Sequence, residues 1–244
     1  DASGNIIIPA NQLGNNNHGG NNNQGGNNQS TSDTHTTTRI DTTEALDNPV
    51  DNGTELSEFE IDERGVLVKY LGDKQDVIIP DDVQGKYITG IGESCFEGSN
   101  IRSVVIPQTV VAIGNFAFKN CTRLTTLVFN GGTNKVVIGS SAFENCVALT
   151  QANLPAVELG NSVFGNCTSL KTAKLADGSK SIGSYCFSNC TSLEYIVVPE
   201  SVMKDSIGTG VLEGANSKIY IVSPSGSDAG QFFSEKGYTV TTHE

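Results

Sequence analysis

The residues able to do chemistry in this 244-residue chain are six cysteines, three histidines and 27 carboxylates. His18, His35 and His243 lie towards the two ends, and residues 36–242 contain no histidine. That removes Ser-His-Asp and Cys-His nucleophilic pairs from the interior of the sequence. It also removes H-E-x-x-H and facial-triad metal sites. The cysteines are regularly placed. Cys121, Cys146, Cys167 and Cys190 each follow an Asn, and Cys95 and Cys186 each precede a Phe. Such thiols could be disulfide partners, zinc ligands or small buried hydrophobes. No C-x-x-C pair occurs, and no histidine lies near enough in sequence to complete a zinc set.

The carboxylates offer no convergent pair. Asp62-Glu63 and Asp81-Asp82 are sequence neighbours on expected turns, and successive side chains do not easily aim at one substrate. The stretch from Asp47 to Glu55 is rich in oxygen ligands. It breaks calcium-loop spacing, because Pro49 stands third and Asn52 sixth, and it reads as a solvated linker. Gly208 to Gly214 has one residue too many for a dinucleotide fingerprint, and Gly178-Ser179-Lys180-Ser181 lacks the upstream Gly of a phosphate loop. Both read as turns. No metal site, cofactor or catalytic residue is expected.

The elements that must position these residues repeat. An aliphatic-Gly pair recurs at 91, 113, 138, 159, 182 and 207, with gaps of 22, 25, 21, 23 and 25 residues. Each pair is followed by a small residue and Phe, then Asn-Cys, then Leu and a short apolar-alternating run. The clearest copy runs from Ile113-Gly114 through Ala117-Phe118 and Asn120-Cys121 to Leu124 and Leu127-Val128-Phe129. A period of this length signals a stacked solenoid. One parallel β-strand per 21–25-residue coil is expected, with short helical or 3₁₀ turns opposite. The Gly of each pair is read as permitting a tight turn. Pro80, Pro107, Pro155 and Pro199 close four strands, where a lost ladder donor costs least. The cysteines then form internal columns. Rungs about 4.8 Å apart come within disulfide reach, but stacked side chains point the same way and a disulfide needs a specific dihedral. Reduced, packed thiols are expected.

Residues 1–57 differ from the rest. They hold one basic residue, Arg39, and seven acidic ones, and the first thirty contain ten Asn and six Gly. Such a stretch buries too little apolar surface to offset its ordering entropy and reads as a low-complexity disordered tether. Residues 58–244 read as the solenoid. Within it, 58–90 form an N-terminal hairpin cap and first strand, 91–206 five repeats, and 207–244 a degenerate repeat and C-terminal cap. The hairpin is expected around Gly65. The end should be a strand, a short helix and a final strand. Net charge is −12, with no basic run, so a nucleic-acid partner is not expected. No apolar stretch is long enough to span a bilayer as a helix. The polar start at Asp1, without Met, fits a product trimmed of a targeting segment.

The cassette Ile-Gly-x-x-Ala-Phe-x-Asn-Cys-x-x-Leu-x-x-aliphatic-x-aliphatic-Pro resembles the BspA-like leucine-rich repeats of exported bacterial surface proteins. The resemblance covers residues 59–222 and is strongest in the cassettes at 113, 138, 159 and 182. Gly98-Ser99 replaces Asn-Cys in the cassette at 91, and Leu212 replaces Phe in the one at 207. The resemblance implies a leucine-rich-repeat solenoid, secretion or lipid-anchored display, an extracellular or outer cell-surface location in an anaerobic bacterium, and adhesion to host matrix or other cells. It brings no active-site motif. No Cys lies in 1–57, so a lipidated Cys would precede Asp1.

Strand alternation predicts the surface a protein partner meets. One outward column is Asp76, Ser103, Thr126, Gln151, Thr172, Tyr195 and Lys218. The next is Ile78, Val105, Val128, Asn153, Lys174, Val197 and Tyr220. This strand face, expected to be concave, is the candidate binding surface, and Ile78, Val105 and Val128 form a candidate apolar patch on it. The alternatives are glycan or small-ligand binding, for which only Tyr195 and Tyr220 offer outward aromatics, and a hydrolase using carboxylates alone.

Overall fold

The computed structural model describes residues 56–131 and 134–242. The expected tether, apart from residues 56 and 57, and the oxygen-rich stretch from Asp47 to Glu55 lie outside the described residues.

Eight strands build the broad side of a parallel β-solenoid. Asp76–Ile78, Ser103–Pro107 and Thr126–Asn130 form one sheet, and Gln151–Leu154, Thr172–Leu175, Tyr195–Val197, Tyr220–Val222 and Thr239–Thr241 form a second beside it. All neighbours within each sheet pair in parallel. Alternation does the sorting. Val77, Val104, Ala152, Ala173, Ile196 and Ile221 point inward and are buried, while their strand neighbours, apart from the buried Val222, are exposed or half-buried. This is the strand expected once per coil.

Five coils carry a second strand that the sequence reading took for a turn, and Ile207 of the next adds an isolated bridge to Ile182. Gly90–Ile91, Ala112–Ile113, Val136–Ile138, Val157–Leu159 and Ser181–Ile182 stack in parallel, continuing from Val66–Tyr70 of the N-terminal hairpin. Their glycines are not needed for a left-handed turn: none of Gly92, Gly114, Gly139, Gly160, Gly183 and Gly208 has positive φ. They are needed because coils approach closely. A Cβ on Gly183 would lie 2.2 Å from the carbonyl oxygen of Gly160, and one on Gly139 2.6 Å from the amide nitrogen of Asn115.

The left-handed positions fall later, two per turn segment. Ser94, Phe116, Ser141, Ser162, Tyr185 and Gly210 occupy the first, and Gly98, Asn120, Asn145, Asn166, Asn189 and Gly214 the second, all with φ between 53° and 69°. Asn and Gly suit that conformation best, which explains why Gly98 and Gly214 stand in for Asn without disturbing the repeat. The segments are hydrogen-bonded turns rather than helices, and successive ones bond to each other through backbone amides. Asn145 and Asn189 donate their side-chain amides to Asn120 and Asn166 at 2.9 Å, tying neighbouring coils together.

Inside the turns a column of rings runs the length of the solenoid. Tyr70, Phe96, Phe118, Phe143, Phe164 and Phe187 stack successively with centroids 4.8 to 5.5 Å apart. The six cysteines are buried and unbridged. Cys121, Cys146, Cys167 and Cys190 each donate a thiol hydrogen to the Phe carbonyl of the preceding coil at 3.1 to 3.2 Å. Ser99, in the Cys slot of its coil, sits 3.4 Å from the Cys121 sulfur. Burial pushes every thiol pKa up, that of Cys121 to about 11 and those of Cys95 and Cys190 to about 12. These are inert packing thiols rather than nucleophiles.

Both ends differ from the middle. Phe59–Ile61 and Val66–Tyr70 form the expected antiparallel hairpin around Gly65 (φ 79°), and Phe59 packs on Tyr70 at the head of the ring column. At the other end the chain runs through Tyr220–Val222, the helix Asp228–Glu235 and Thr239–Thr241, as expected. Ser227 caps the helix by accepting from the Gly230 amide, and Phe233 buries its ring against the last coil.

Candidate partner-binding face

The outward residues of the eight strands form two columns in register. Asp76, Ser103 and Thr126 pair in one sheet, and Gln151, Thr172, Tyr195, Tyr220 and Thr239 in the other. Beside them run Ile78, Val105 and Val128, then Asn153, Lys174, Val197, Val222, which is buried, and Thr241. Eleven of the twelve residues read as a binding face, from Ser103 to Val197 and Tyr220, thus stand on one surface, exposed or half-buried.

The register of the last coil is a correction. Tyr220, not Lys218, pairs with Tyr195, and Val222, not Tyr220, pairs with Val197. Lys218 points outward and is exposed, but it precedes the strand. In the middle coils the strand begins five residues after the Cys slot, as from Cys190 to Tyr195. Ala215 holds that slot in the last coil, which places the strand start at Tyr220. The polar run Asn216-Ser217-Lys218 lacks the buried Leu of other coils, and Ile219 is buried instead.

The face is not uniform. Ile78 (42 % exposed), Val105 and Val128 (37 %) lie side by side on adjacent strands, an apolar row open to water. At the opposite end, Tyr195 and Tyr220 stack with centroids 5.3 Å apart and ring planes at 22°. Burial, followed by the nearby Tyr220 and Glu194, raises the Tyr195 hydroxyl pKa. Next to the apolar row, Asp76 accepts from the Arg102 guanidinium and from Ser103 Oγ at 2.6 Å. The Arg102 bonds, followed by that from Ser103, hold its carboxyl below the usual range. The polar edge is therefore a fixed ion pair beside an apolar stripe.

The candidate catalytic carboxylates serve turns. Asp62 accepts from the amides of Arg64 and Val66 at 2.9 Å and pairs with the Arg64 side chain. Asp82 accepts from the Gly85 amide. Ser179 accepts from the Val157 amide and donates to the Ala176 carbonyl, so it belongs to a coil corner. Among the described residues no group of three His, Cys, Asp or Glu side chains is placed to hold a metal.

A second exposed surface escaped the sequence reading. Val137 (43 %) and Val111 (41 %) stand outward beside the short-strand sheet, near the Lys135–Glu158 ion pair at 2.6 Å. The signal was present in the apolar-x-apolar runs Val136-Val137-Ile138 and Val157-Glu158-Leu159, but three residues are too few to separate a strand from a turn by periodicity.

A family model described as a BspA type leucine-rich repeat region matches residues 89–218 in six copies. Among solved structures, a Treponema pallidum leucine-rich repeat protein is 23 % identical over 77 % of this chain and 97 % of its own, with a TM-score of 0.59. A leucine rich cell surface protein of Faecalibacterium prausnitzii is 25 % identical over 75 % of this chain and 52 % of its own, with a TM-score of 0.57. Among curated proteins none matches the chain. No helix of the described residues is long and apolar enough to cross a membrane. The chain belongs to the BspA-type leucine-rich repeat family, whose repeats generally serve protein interaction.

Proposed function

We propose that the chain is a non-enzymatic bacterial surface protein that binds a protein partner through the outer face of its long strands, in adhesion to host matrix or to other cells. The observation that carries this reading is the in-register apolar row of Ile78, Val105 and Val128 beside the Asp76–Arg102 pair. An exposed apolar stripe with a polar rim is what an interface core needs. The surface location is supported by the description of the Faecalibacterium relative. Residues 1–57 would act as a tether. A second reading, glycan binding, is favoured only by the outward Tyr195–Tyr220 pair, whose rings already cover one face of each other.

The test is binding of the full chain to an array of host matrix proteins and glycans. Saturable binding to a protein, lost in Val105→Lys/Val128→Lys with the circular dichroism spectrum intact, is the expected result. Protein binding unchanged by the double substitution would overturn the assignment of the face. A glycan-only signal abolished by Tyr220→Ala would replace the reading with the second one.

A further inference from the structure

Every inner turn segment hands three backbone N–H groups to the next coil. Ser94, Phe96 and Gly98 donate to the carbonyls of Asn115, Ala117 and Lys119 at 3.0, 2.7 and 2.8 Å. The same pattern repeats down to Tyr185, Phe187 and Asn189, which donate to Thr209, Val211 and Glu213 at 2.8 to 2.9 Å. All three donors in every segment point towards the C-terminal end, and the first and third of them are the left-handed residues. The intervening amides, such as Cys95 and Glu97, turn back to their own segment.

The last segment, residues 209–214, keeps this conformation, with Gly210 at φ 61° and Gly214 at φ 69°. The chain then supplies a strand and a helix, not another turn segment. The amides of Gly210, Leu212 and Gly214 accordingly have no acceptor among the described residues. The helix Asp228–Glu235 does not fill the gap: its carbonyls at Phe232, Phe233 and Ser234 accept from the amides of Lys236, Tyr238 and Gly237 that follow it. These residues line two adjoining grooves, of about 420 and 370 Å³, whose shared walls are Leu212, Glu213, Lys236 and Tyr238.

We propose that this groove is a docking site for an extended peptide segment of a partner protein. The segment adds the rung that the chain itself omits. Its carbonyls at alternate residues accept from Gly210, Leu212 and Gly214. The matching acceptor is read from the molecule: at all five inner interfaces it is a run of alternate backbone carbonyls. An open edge of aligned donors is a template for strand-like addition. A small anion fits less well, because the Glu213 carboxylate lines both grooves and the chain carries a net charge of −12. The site lies at the C-terminal end of the solenoid and stands independently of the strand face proposed above.

The test is amide exchange and chemical-shift mapping on the ¹⁵N-labelled full chain. The probe is a synthetic peptide copying residues 182–193 with both cysteines replaced by serine. In the free protein, the amides of Gly210, Leu212 and Gly214 should exchange faster than those of Tyr185, Phe187 and Asn189. The peptide should shift and protect those three. Lys236→Trp, at an exposed position on the groove wall, should weaken binding about tenfold by filling the groove while leaving the melting temperature in place. Three outcomes would each overturn the proposal: amides already protected without peptide, shifts mapping elsewhere or absent at millimolar peptide, and affinity unchanged by Lys236→Trp. If acetate or phosphate alone reproduces the three shifts and the peptide does not, the donors form an anion site and the peptide assignment fails.

Discussion

Replacing Gly183 with alanine tests whether coil spacing, rather than turn conformation, fixes the glycine of each aliphatic-Gly pair. The added Cβ would sit 2.2 Å from the Gly160 oxygen, 2.3 Å from the Gly160 carbonyl carbon and 2.7 Å from the Asn161 nitrogen. All three are backbone atoms, so no side chain can swing away. Relieving the clash to an ordinary contact requires the two coils to part by about 1 Å, which strains the 2.9 Å bond from Gly183 N–H to the Leu159 carbonyl. Overpacking of this kind costs ~3 kcal/mol at the upper end of its usual range. The lower entropy of the unfolded alanine chain returns ~0.4–1 kcal/mol, leaving a net loss of about 2–3 kcal/mol. Gly165 is the control. It too lacks positive φ, and its added Cβ meets only Ser162 O at 3.3 Å and the Ser188 side chain at 3.5 Å. Gly165→Ala should change stability by less than about 0.5 kcal/mol. Urea unfolding followed by circular dichroism reads both differences. Equal effects of the two substitutions, or a Gly183→Ala protein as stable as the parent, would refute the close-approach explanation.

Two further outcomes follow from the core. Phe143 is fully buried and stacked on Phe118 at 4.9 Å and Phe164 at 5.4 Å. Phe143→Ala should cost ~3–5 kcal/mol by the same urea assay; a loss below about 1 kcal/mol would mean the column is not what holds the coils together. The buried thiols should make stability fall in alkali. Their folded pKa values lie above the ordinary value near 9, reaching about 11 for Cys121 and about 12 for Cys95 and Cys190. Between those limits the folded chain holds more protons than the unfolded one. The contribution is therefore complete below pH 9 and is lost as pH climbs towards 12, by up to ~1.4 kcal/mol per pH unit for each thiol. Urea midpoints measured from pH 8 to 10.5 should fall, and Cys190→Ala should shallow the slope; a flat profile would contradict thiol burial.

The sequence made the repeat legible because its strongest constraint is volumetric. Only a small residue fits between coils, an aromatic ring fills the column, and only Asn or Gly accepts the second left-handed position at low cost. Each leaves a residue type at a fixed interval. The Cys column was read correctly for the same reason. The reason for the glycine was misread, since a sequence shows which residue stands at a position but not whether φ or a neighbouring coil demands it. The short strands were missed because two or three residues carry too little alternation. The slip from Tyr220 to Lys218 came from anchoring on the apolar run instead of the Cys slot, in the one coil where Ala215 hides that slot. The binding face was legible as a set of outward residues, but its ion pair depends on Arg102, which precedes the strand and so falls outside the alternation.

The hydrogen bonds between coils run along the axis of the stack, and this orientation has a mechanical consequence. Tension applied between the two ends of the solenoid loads one interface at a time, peeling it, rather than shearing many strands together. Successive glycines are 21 to 25 residues apart, so each coil that peels away yields about 70–90 Å of extended chain. With all five inner interfaces secured by the same three backbone amide bonds, the array should lengthen under load in near-equal increments, absorbing a pull coil by coil while the coils still stacked keep their outward face.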